Sequence, residues 1–434
     1  MSSKGDSPRR AVPVDVVRTG DGTHEVDEGM QEVNPQMNGD HGRALVCFFP
    51  SEENKIERFL AHVDSSEPRS RICMLTIGSR LSTAKMLKTA FSRLEIHIVE
   101  YPACGVDGYY SPSHIAEELK DSVKSMAPSE GIVFLTGAPT PIRYMPGMLS
   151  LPFKQNYNHF RILKLLGIDR IAVFESNSLI PVSVPYLLDD FVDIHRGKRC
   201  FVVGNGPSLG QIDMSRLRDE ITLGSNRVYL GFEEWGYRFQ YWCIVDSLQI
   251  EKYMREWEAH IPEEMVKFFP FENLNLFNMK NYCPVNFYPP GHPENKTNFN
   301  DPLMKEDPSQ APAFSDRPDV VFLGHTVTYA MIQIAVIMGC NPIYLVGVDH
   351  RYSTSTIDKV RGLWRDATSS SHFHKGYGVQ GDVERDFHLP NIKESERAFD
   401  YAAKWARANN VGIYNASPGT ALKSFETVSF DAVF

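Results

Sequence analysis

The residues with the clearest chemical potential are Val202-Val203-Gly204-Asn205-Gly206-Pro207-Ser208-Leu209, an apolar run that passes straight into a glycine turn. At the carboxyl ends of strands in an open parallel sheet, free backbone N–H groups and nearby helix starts are suited to holding phosphates. Gly204 and Gly206 permit positive φ and close approach of a ligand, while Asn205 and Ser208 add side-chain hydrogen bonds. This is not a dinucleotide fingerprint, because Leu209 replaces the third glycine of G-x-G-x-x-G, and no Walker Lys-Ser/Thr pair follows. Three more polar groups follow apolar runs: Gly224-Ser225-Asn226-Arg227, Asp246, and Gly347-Val348-Asp349-His350. A parallel sheet would gather all four signals along one edge, so a ligand crevice is expected there.

A second cluster is Ser371-His372-Phe373-His374, with Lys375, Tyr377 and His388 close behind. An imidazole in a loop over a crevice can take a proton from a substrate hydroxyl near neutral pH. Two other readings stand beside this one. The loop is simply polar and exposed, or His372 and His374 ligate a metal with Asp349, His350 or His388, although no recognised metal spacing is present. Glu233, Glu234 and the stretch from Glu251 to Glu258 read as solvated helix faces, and Trp242, Trp257, Trp364 and Trp405 as packing.

The elements that would position these groups are legible as alternating patterns. The chain has 434 residues, 42% of them apolar and 23% charged, enough for two or three domains with large cores. With 45 Lys and Arg against 54 Asp and Glu, the net charge of −9 argues against a protein that coats nucleic acid. No run approaches the ~18 apolar residues of a membrane span, and the start lacks a secretory signal, so a soluble cytoplasmic protein is expected. Seven widely spaced cysteines without a C-x-x-C make structural zinc a poor candidate.

Residues 1–43 are polar and aperiodic and read as a disordered tail. Over 44–180, apolar β-rich runs such as ALVCFFP and RICMLTIG alternate with amphipathic stretches such as ENKIERFLAHV. This predicts a first α/β domain, followed by a connector over 181–198 with prolines at Pro181 and Pro185. A second alternation runs over 199–434, giving an α/β protein with two Rossmann-like domains and mainly parallel sheets. Within it, about 262–318 is rich in Pro, Asn and Phe and reads as an irregular excursion, and about 350–390 as a second one.

From about Arg199 to the C-terminus the ordered motifs VVGNGPSL, SNRVYLGFE, TVTYAMIQIAVIMG, PIYLVGVDH, SHFH, FHLP and IYNASPGTALKSF resemble the MptE-like family. That family includes the motility accessory factor glycosyltransferases and an archaeal 6-hydroxymethylpterin diphosphokinase, and it is similar to the bacterial lipooligosaccharide sialyltransferases. The resemblance implies that Gly204, Asn205, Gly206, Pro207, Ser208 and Asn226 hold the cytidine monophosphate part of a donor. It also implies that His372 is the general base on the acceptor hydroxyl. Thr326, Asp349 and Tyr352 are expected as donor-side contacts, with Asp246 at the same strand-end rim. The chain departs from the sialyltransferases at Thr326-Val327-Thr328, where they carry T-S-G, and at His350, where they carry an aromatic residue.

The implied function is a nucleotide-sugar-dependent glycosyltransferase moving a nonulosonic, sialic-acid-like sugar from a CMP donor to a glycan or protein acceptor. No metal is expected, and a homo-oligomer is compatible with the reading. Two rival readings are a diphosphokinase of a pterin-like alcohol, with Mg²⁺ held by Asp246 and Asp349, and a non-catalytic nucleotide- or glycan-sensing protein.

Overall fold

The computed structural model describes residues 43–48, 53–76, 80–100, 112–126, 128, 130–133, 159–168, 170–175, 178–182, 184–271, 273, 279–288, 314–352, 356–358, 363–366, 370–380 and 383–434. The tail expected over 1–43 lies outside these residues except for Arg43, as do parts of both irregular excursions.

The chain divides into two compact units. The smaller contains a six-stranded sheet built from β1 (Ala44–Phe48), β2 (Arg71–Thr76), β3 (Glu95–Glu100), β4 (Glu130–Val133), β5 (Ile171–Glu175) and β6 (Ser178–Val182) in the order β3-β2-β1-β4-β5-β6. Every pairing is parallel except β5 with β6. Helices α1 (Glu53–Ser66), α2 (Leu81–Ala90), α3 (Pro112–Lys124) and α4 (159–165) intervene. In α1, Ile56, Phe59, Leu60 and Val63 recur at helical spacing and are buried against Leu45, Cys47, Ile72 and Met74 of the strands.

The segment 181–198 differs from the expected connector. Pro181 and Val182 belong to β6, an edge strand where a missing N–H is tolerated. A few residues on, the 3-10 turn Leu188–Phe191 buries Leu188 and Phe191 completely in the core of the larger unit. Apolar residues at these positions have surface to bury, so the chain is not left as a free tether.

The larger unit holds an eight-stranded sheet, with β7 (Cys200–Val203), β8 (Ile221–Ser225), β9 (Tyr241–Cys243), β10 (Val266–Pro270) and β11 (Tyr282–Val285) running outward on one side. After the short pair β12 (Phe287–Tyr288) and β13 (Val321–Phe322), strand β14 (Ile343–Val346) returns to the other side of β7. Small antiparallel strands follow in the later excursion: β15 (Thr356–Asp358), β16 (Leu363–Arg365), β17 (Val379–Gln380), β18 (Val383–Glu384) and β19 (Phe387–His388). Strands β20 (Ile413–Asn415) and β21 (Glu426–Thr427) complete the main sheet beyond β14. All seven pairings of the main sheet are parallel.

Alternation along β7 explains the two cores. Cys200 and Val202 point to the face covered by α7 (Val327–Ile337) and α8 (Ile392–Ala408), while Phe201 and Val203 pack on the side of α6 (Ser247–His260) and the short α5 (Phe232–Trp235). Helix α7 is apolar on nearly every side and sits wholly in the core, whereas α8 is amphipathic and buries Ala398, Phe399, Ala402 and Ala406. Gly339, at φ +78°, lets the chain turn after α7, as its place after the apolar run suggests.

The region 262–318 also departs from its expected irregularity, because β10 and β11 extend the main sheet. Val266-Lys267-Phe268-Phe269 is rich in residues that suit a pleated, buried surface, and Pro270 falls at the strand end. Pro284 lies in β11, the outermost strand. There the lost donor needs no partner strand.

Candidate functional site

The order of the main sheet places a switch between β7 and β14: strands after β7 build to one side and strands after β14 to the other. Loops leaving such neighbours diverge and open a crevice at the carboxyl ends of the strands. The two loops here are Gly204-Asn205-Gly206 and Gly347-Val348-Asp349-His350, and a cavity of about 150 Å³ opens between them.

The loops interlock through their backbones. Gly204 N–H donates to Val346 O and Gly206 N–H to Gly347 O, each at 2.8 Å. A Cβ on Gly206 would lie 2.7 Å from the Asp349 carboxylate, so a larger residue would force the two loops apart. Asp349 is buried and fixed by Ser208, whose N–H donates to Oδ2 at 2.9 Å and whose hydroxyl donates to Oδ1. Its carboxylate thus braces the turn. Asn205 is oriented by Ser225: its Nδ2 donates to the Ser225 carbonyl and hydroxyl, both at 3.2 Å. A carbonyl only accepts, so Oδ1 is the amide's other end, and among the described residues this buried oxygen has no hydrogen-bond partner. It is an acceptor awaiting a donor.

Asn226 ends β8 in the left-handed region at φ +51°, where asparagine is tolerated better than most residues. Its carbonyl receives Trp242 Nε1–H at 2.8 Å, and its amide bonds the Tyr377 phenol. Thr326 caps α7 by accepting Thr328 N–H at 3.3 Å. It lines the same cavity, as do Tyr352 and His372.

His372 hydrogen-bonds Asp366 through Nδ1 at 2.9 Å, and Asp366 is completely buried. That carboxylate also accepts the Ser370 N–H and Ser371 N–H, each at 3.0 Å. Burial would raise the Asp366 carboxyl, but the bonds from His372, Ser371 and Ser370 outweigh it and hold the group below the usual carboxylate range. An ionised Asp366 can only accept, so the proton of the neutral imidazole sits on Nδ1 and the lone pair on Nε2. Burial pulls the His372 imidazole below its ordinary value, with Asp366 opposing. The ring is stacked on Tyr377 at a centroid distance of 3.8 Å, and burial pushes that phenol up to about 12.

The loop carrying His372 is tied to the sheet. Phe373 N–H donates to the Asn205 carbonyl at 3.0 Å, which links the histidine loop directly to the glycine turn. Arg227, also buried, donates Nη1 to the carbonyls of Gly376, Tyr377 and Val379, and pairs with Glu256 at 2.6 Å. Arg385 pairs with the same Glu256. Glu256 is therefore a buried anchor and not the solvated helix residue expected from its charged surroundings. Trp242, Trp257, Trp364 and Trp405 are buried, in line with a packing role.

The cavity brings together Gly204, Asn205, Gly206, Asn226, Thr326, Asp349, Tyr352 and His372. Pro207 is exposed beside the turn, and Ser208 acts from behind it through Asp349. Asp246 is outside the cavity: it caps α6 by accepting Leu248 N–H and Gln249 N–H, and it pairs with His388 at 3.1 Å. His374 accepts Gly376 N–H through Nδ1 at 3.1 Å. Among the described residues no three His, Cys, Asp or Glu side chains converge as a metal-binding group. Also among the described residues, no helix is long and apolar enough to cross a membrane.

Sequence reading missed Asp366; of the strand-end signal Gly224-Ser225-Asn226-Arg227 it gave a binding role to Asn226 alone, whereas Ser225 orients Asn205 and Arg227 holds the histidine loop. For Asp366 the available signal was a carboxylate six residues before the histidine, with Ser370 and Ser371 between them, a pattern that also fits an ordinary turn.

No protein-family model matches the chain, and no curated protein matches it. Among solved structures it is similar to a MAf glycosyltransferase from Magnetospirillum magneticum AMB-1, at 14% identity and a TM-score of 0.33, over 90% of this chain and 58% of that one. The chain thus spans 58% of the length of that structure. It is also similar to the ADP-heptose LPS heptosyltransferase II of E. coli, at 9% identity and a TM-score of 0.20, over 58% of this chain and 86% of that one. A third likeness is to the UDP-GlcNAc 2-epimerase of Neisseria meningitidis bound to UDP-GlcNAc, at 10% identity and a TM-score of 0.19, over 87% of this chain and 96% of that one.

Proposed function

We propose that the protein is a glycosyltransferase that moves a sugar from a nucleotide donor to an acceptor hydroxyl, with a CMP-linked nonulosonic, sialic-acid-like sugar as donor. Asn205, Gly206, Asn226 and Thr326 would hold the nucleotide part, and His372 would act as general base. The acceptor O–H gives its proton to His372 Nε2 while its oxygen bonds to the anomeric carbon. The bond from that carbon to the phosphate oxygen breaks, and CMP leaves with the electron pair. Asp366 stabilises the imidazolium so formed. The acceptor would be a glycan or a protein, and a cytoplasmic setting fits a nucleotide-sugar donor.

The observation that carries this reading is that the glycine turn and a carboxylate-oriented imidazole line one cavity, joined by the Phe373–Asn205 hydrogen bond. Ordered motif resemblance over the second half of the chain supports the choice of donor class. For a diphosphokinase, Asp246 and Asp349 would have to share a Mg²⁺; Asp246 caps a helix outside the cavity and Asp349 is engaged by Ser208, an arrangement that favours the transferase.

The test is incubation with CMP-activated nonulosonic sugars, with and without EDTA, and chromatography of the products. CMP release that disappears in His372→Ala supports the assignment. Release unaffected by that substitution, or Mg²⁺-dependent consumption of ATP in its place, refutes it.

A further inference from the structure

Tyr377 lines the cavity beside His372 and takes no part in the transfer step above. Its ring lies flat on the imidazole, with centroids 3.8 Å apart and planes 10° from parallel, which is van der Waals contact between the two faces. Asp366 holds the Nδ1 end of that imidazole, and the flat contact holds its plane. Together they set the direction in which Nε2 points.

The phenol end of Tyr377 meets Asn226 on the nucleotide side of the rim. Their hydrogen bond pulls the phenol down against the rise that burial causes. A bond with that sign favours the phenolate, so the amide is the donor and the phenol oxygen the acceptor. Asn226 is thereby turned with its NH₂ to Tyr377 and with Oδ1 as its other end. Tyr377 can hold two partners because it is itself held: its side chain is 2% exposed, Arg227 Nη1 donates to its carbonyl at 2.6 Å, and its N–H donates to the His374 carbonyl at 3.0 Å. Asn226 and Arg227 are consecutive, so the chain leaving β8 fastens this one residue at its phenol and at its main chain.

We propose that Tyr377 is a positioning residue with two separable tasks: its phenol sets the turn of the Asn226 amide, and its ring sets the plane of the His372 imidazole. This rests on the reading of Asn226 as a nucleotide contact and His372 as the base. The first task then governs donor affinity, and the second governs turnover. A ring that only filled space would affect both together, through stability.

The test compares Tyr377→Phe with Tyr377→Leu in the full chain, by calorimetry with CMP, by kinetics with a CMP-activated nonulosonic sugar, and by NMR of the ligand-free protein. Tyr377→Phe keeps the ring and loses one amide–phenol bond, so CMP affinity should fall and donor KM rise by roughly 3–10-fold, with kcat within threefold of wild type. Tyr377→Leu should show the same loss of affinity and, in addition, a kcat lower by at least tenfold, because the imidazole plane is released. In the spectra, the ring current of Tyr377 moves the His372 ring protons upfield; Tyr377→Phe should keep that displacement while shifting the Asn226 side-chain amide signal. Should Tyr377→Leu misfold, wild type and Tyr377→Phe carry the test through these two signals and the split between KM and kcat. Unchanged donor KM and amide signal in Tyr377→Phe overturn the proposal, as does a kcat in Tyr377→Leu within threefold of wild type, or a loss of kcat and affinity in proportion in Tyr377→Phe. Signals displaced as expected in a protein that neither binds CMP nor turns over the donor keep Tyr377 as the positioning residue and overturn the nucleotide reading. CMP binding with neither signal displaced overturns the proposal and leaves the nucleotide reading standing.

Discussion

Asp366→Asn tests the chemistry of the imidazole with the least change of shape. In the wild-type loop Oδ2 receives both Ser371 N–H and His372 Nδ1–H, and Oδ1 receives Ser370 N–H. An amide offers one acceptor, so whichever way it is turned its NH₂ meets a donor. Turned toward Ser370 it leaves that N–H unsatisfied, at a cost of ~1–3 kcal/mol in stability. Turned toward His372 it donates to Nδ1 and moves the imidazole proton to Nε2, which removes the base. The charge matters as well: at ~4 Å and an effective dielectric of ~20, a carboxylate stabilises an imidazolium by about 4 kcal/mol, or roughly a thousandfold in rate. Donor turnover should fall by about 10²–10⁴-fold, with CMP affinity nearly unchanged.

The pH profile adds a sign. Base catalysis requires the neutral ring, so activity is lost as pH falls through the His372 value, which burial sets below the ordinary one against the pull of Asp366. Without Asp366 the opposing pull is gone, and the acid limb moves to still lower pH while the plateau drops. Turnover within threefold of wild type, or an acid limb displaced upward, would show that Asp366 does not orient a base.

Gly206→Ala places a methyl 2.7 Å from the Asp349 carboxylate and should cost ~1–3 kcal/mol in chemical denaturation, together with nucleotide affinity, because the two rim loops must separate. Arg227→Lys keeps the charge but cannot reach Glu256 and three loop carbonyls at once, so turnover should fall with little loss of helical signal by circular dichroism. His195, buried and bonded to Tyr241 at 2.7 Å, is pulled down to about 4 by burial, with Lys198 adding to the effect. Its folded value lies below the unfolded one, so the unfolded chain binds the extra proton and stability declines between about pH 6.5 and 4. That loss is about 3 kcal/mol. His195→Gln should flatten this part of the urea-midpoint curve, and an unchanged slope would contradict the assignment.

Much of the fold could be read from periodicity. Continuous apolar strands such as Cys200–Val203 signal burial on both faces, and the 3–4 spacing in α1 and α8 signals helices covering a sheet. Strands β10 and β11 were hidden because Pro270 and Pro284 read as breakers, although a strand end and an outer strand accept proline. Most residues singled out by strand-end logic line one cavity; Asp246 also follows a strand but caps α6 outside that cavity, since an N-capping carboxylate and a ligand-facing one look alike in sequence. The Arg227–Glu256–Arg385 cluster was illegible because its members lie 29 and 129 positions apart, with Glu256 and Arg385 in charged stretches that resemble surface. Only folding brings them under the loop that holds His372.

The most direct measurement is calorimetric titration of CMP, in EDTA, into wild-type protein, Asn205→Ala and His372→Ala. Binding by the wild type, loss of at least tenfold in affinity in Asn205→Ala and retention in His372→Ala would match a rim that holds the nucleotide beside a separate base. Failure of CMP to bind the wild type, or binding indifferent to Asn205, would contradict it.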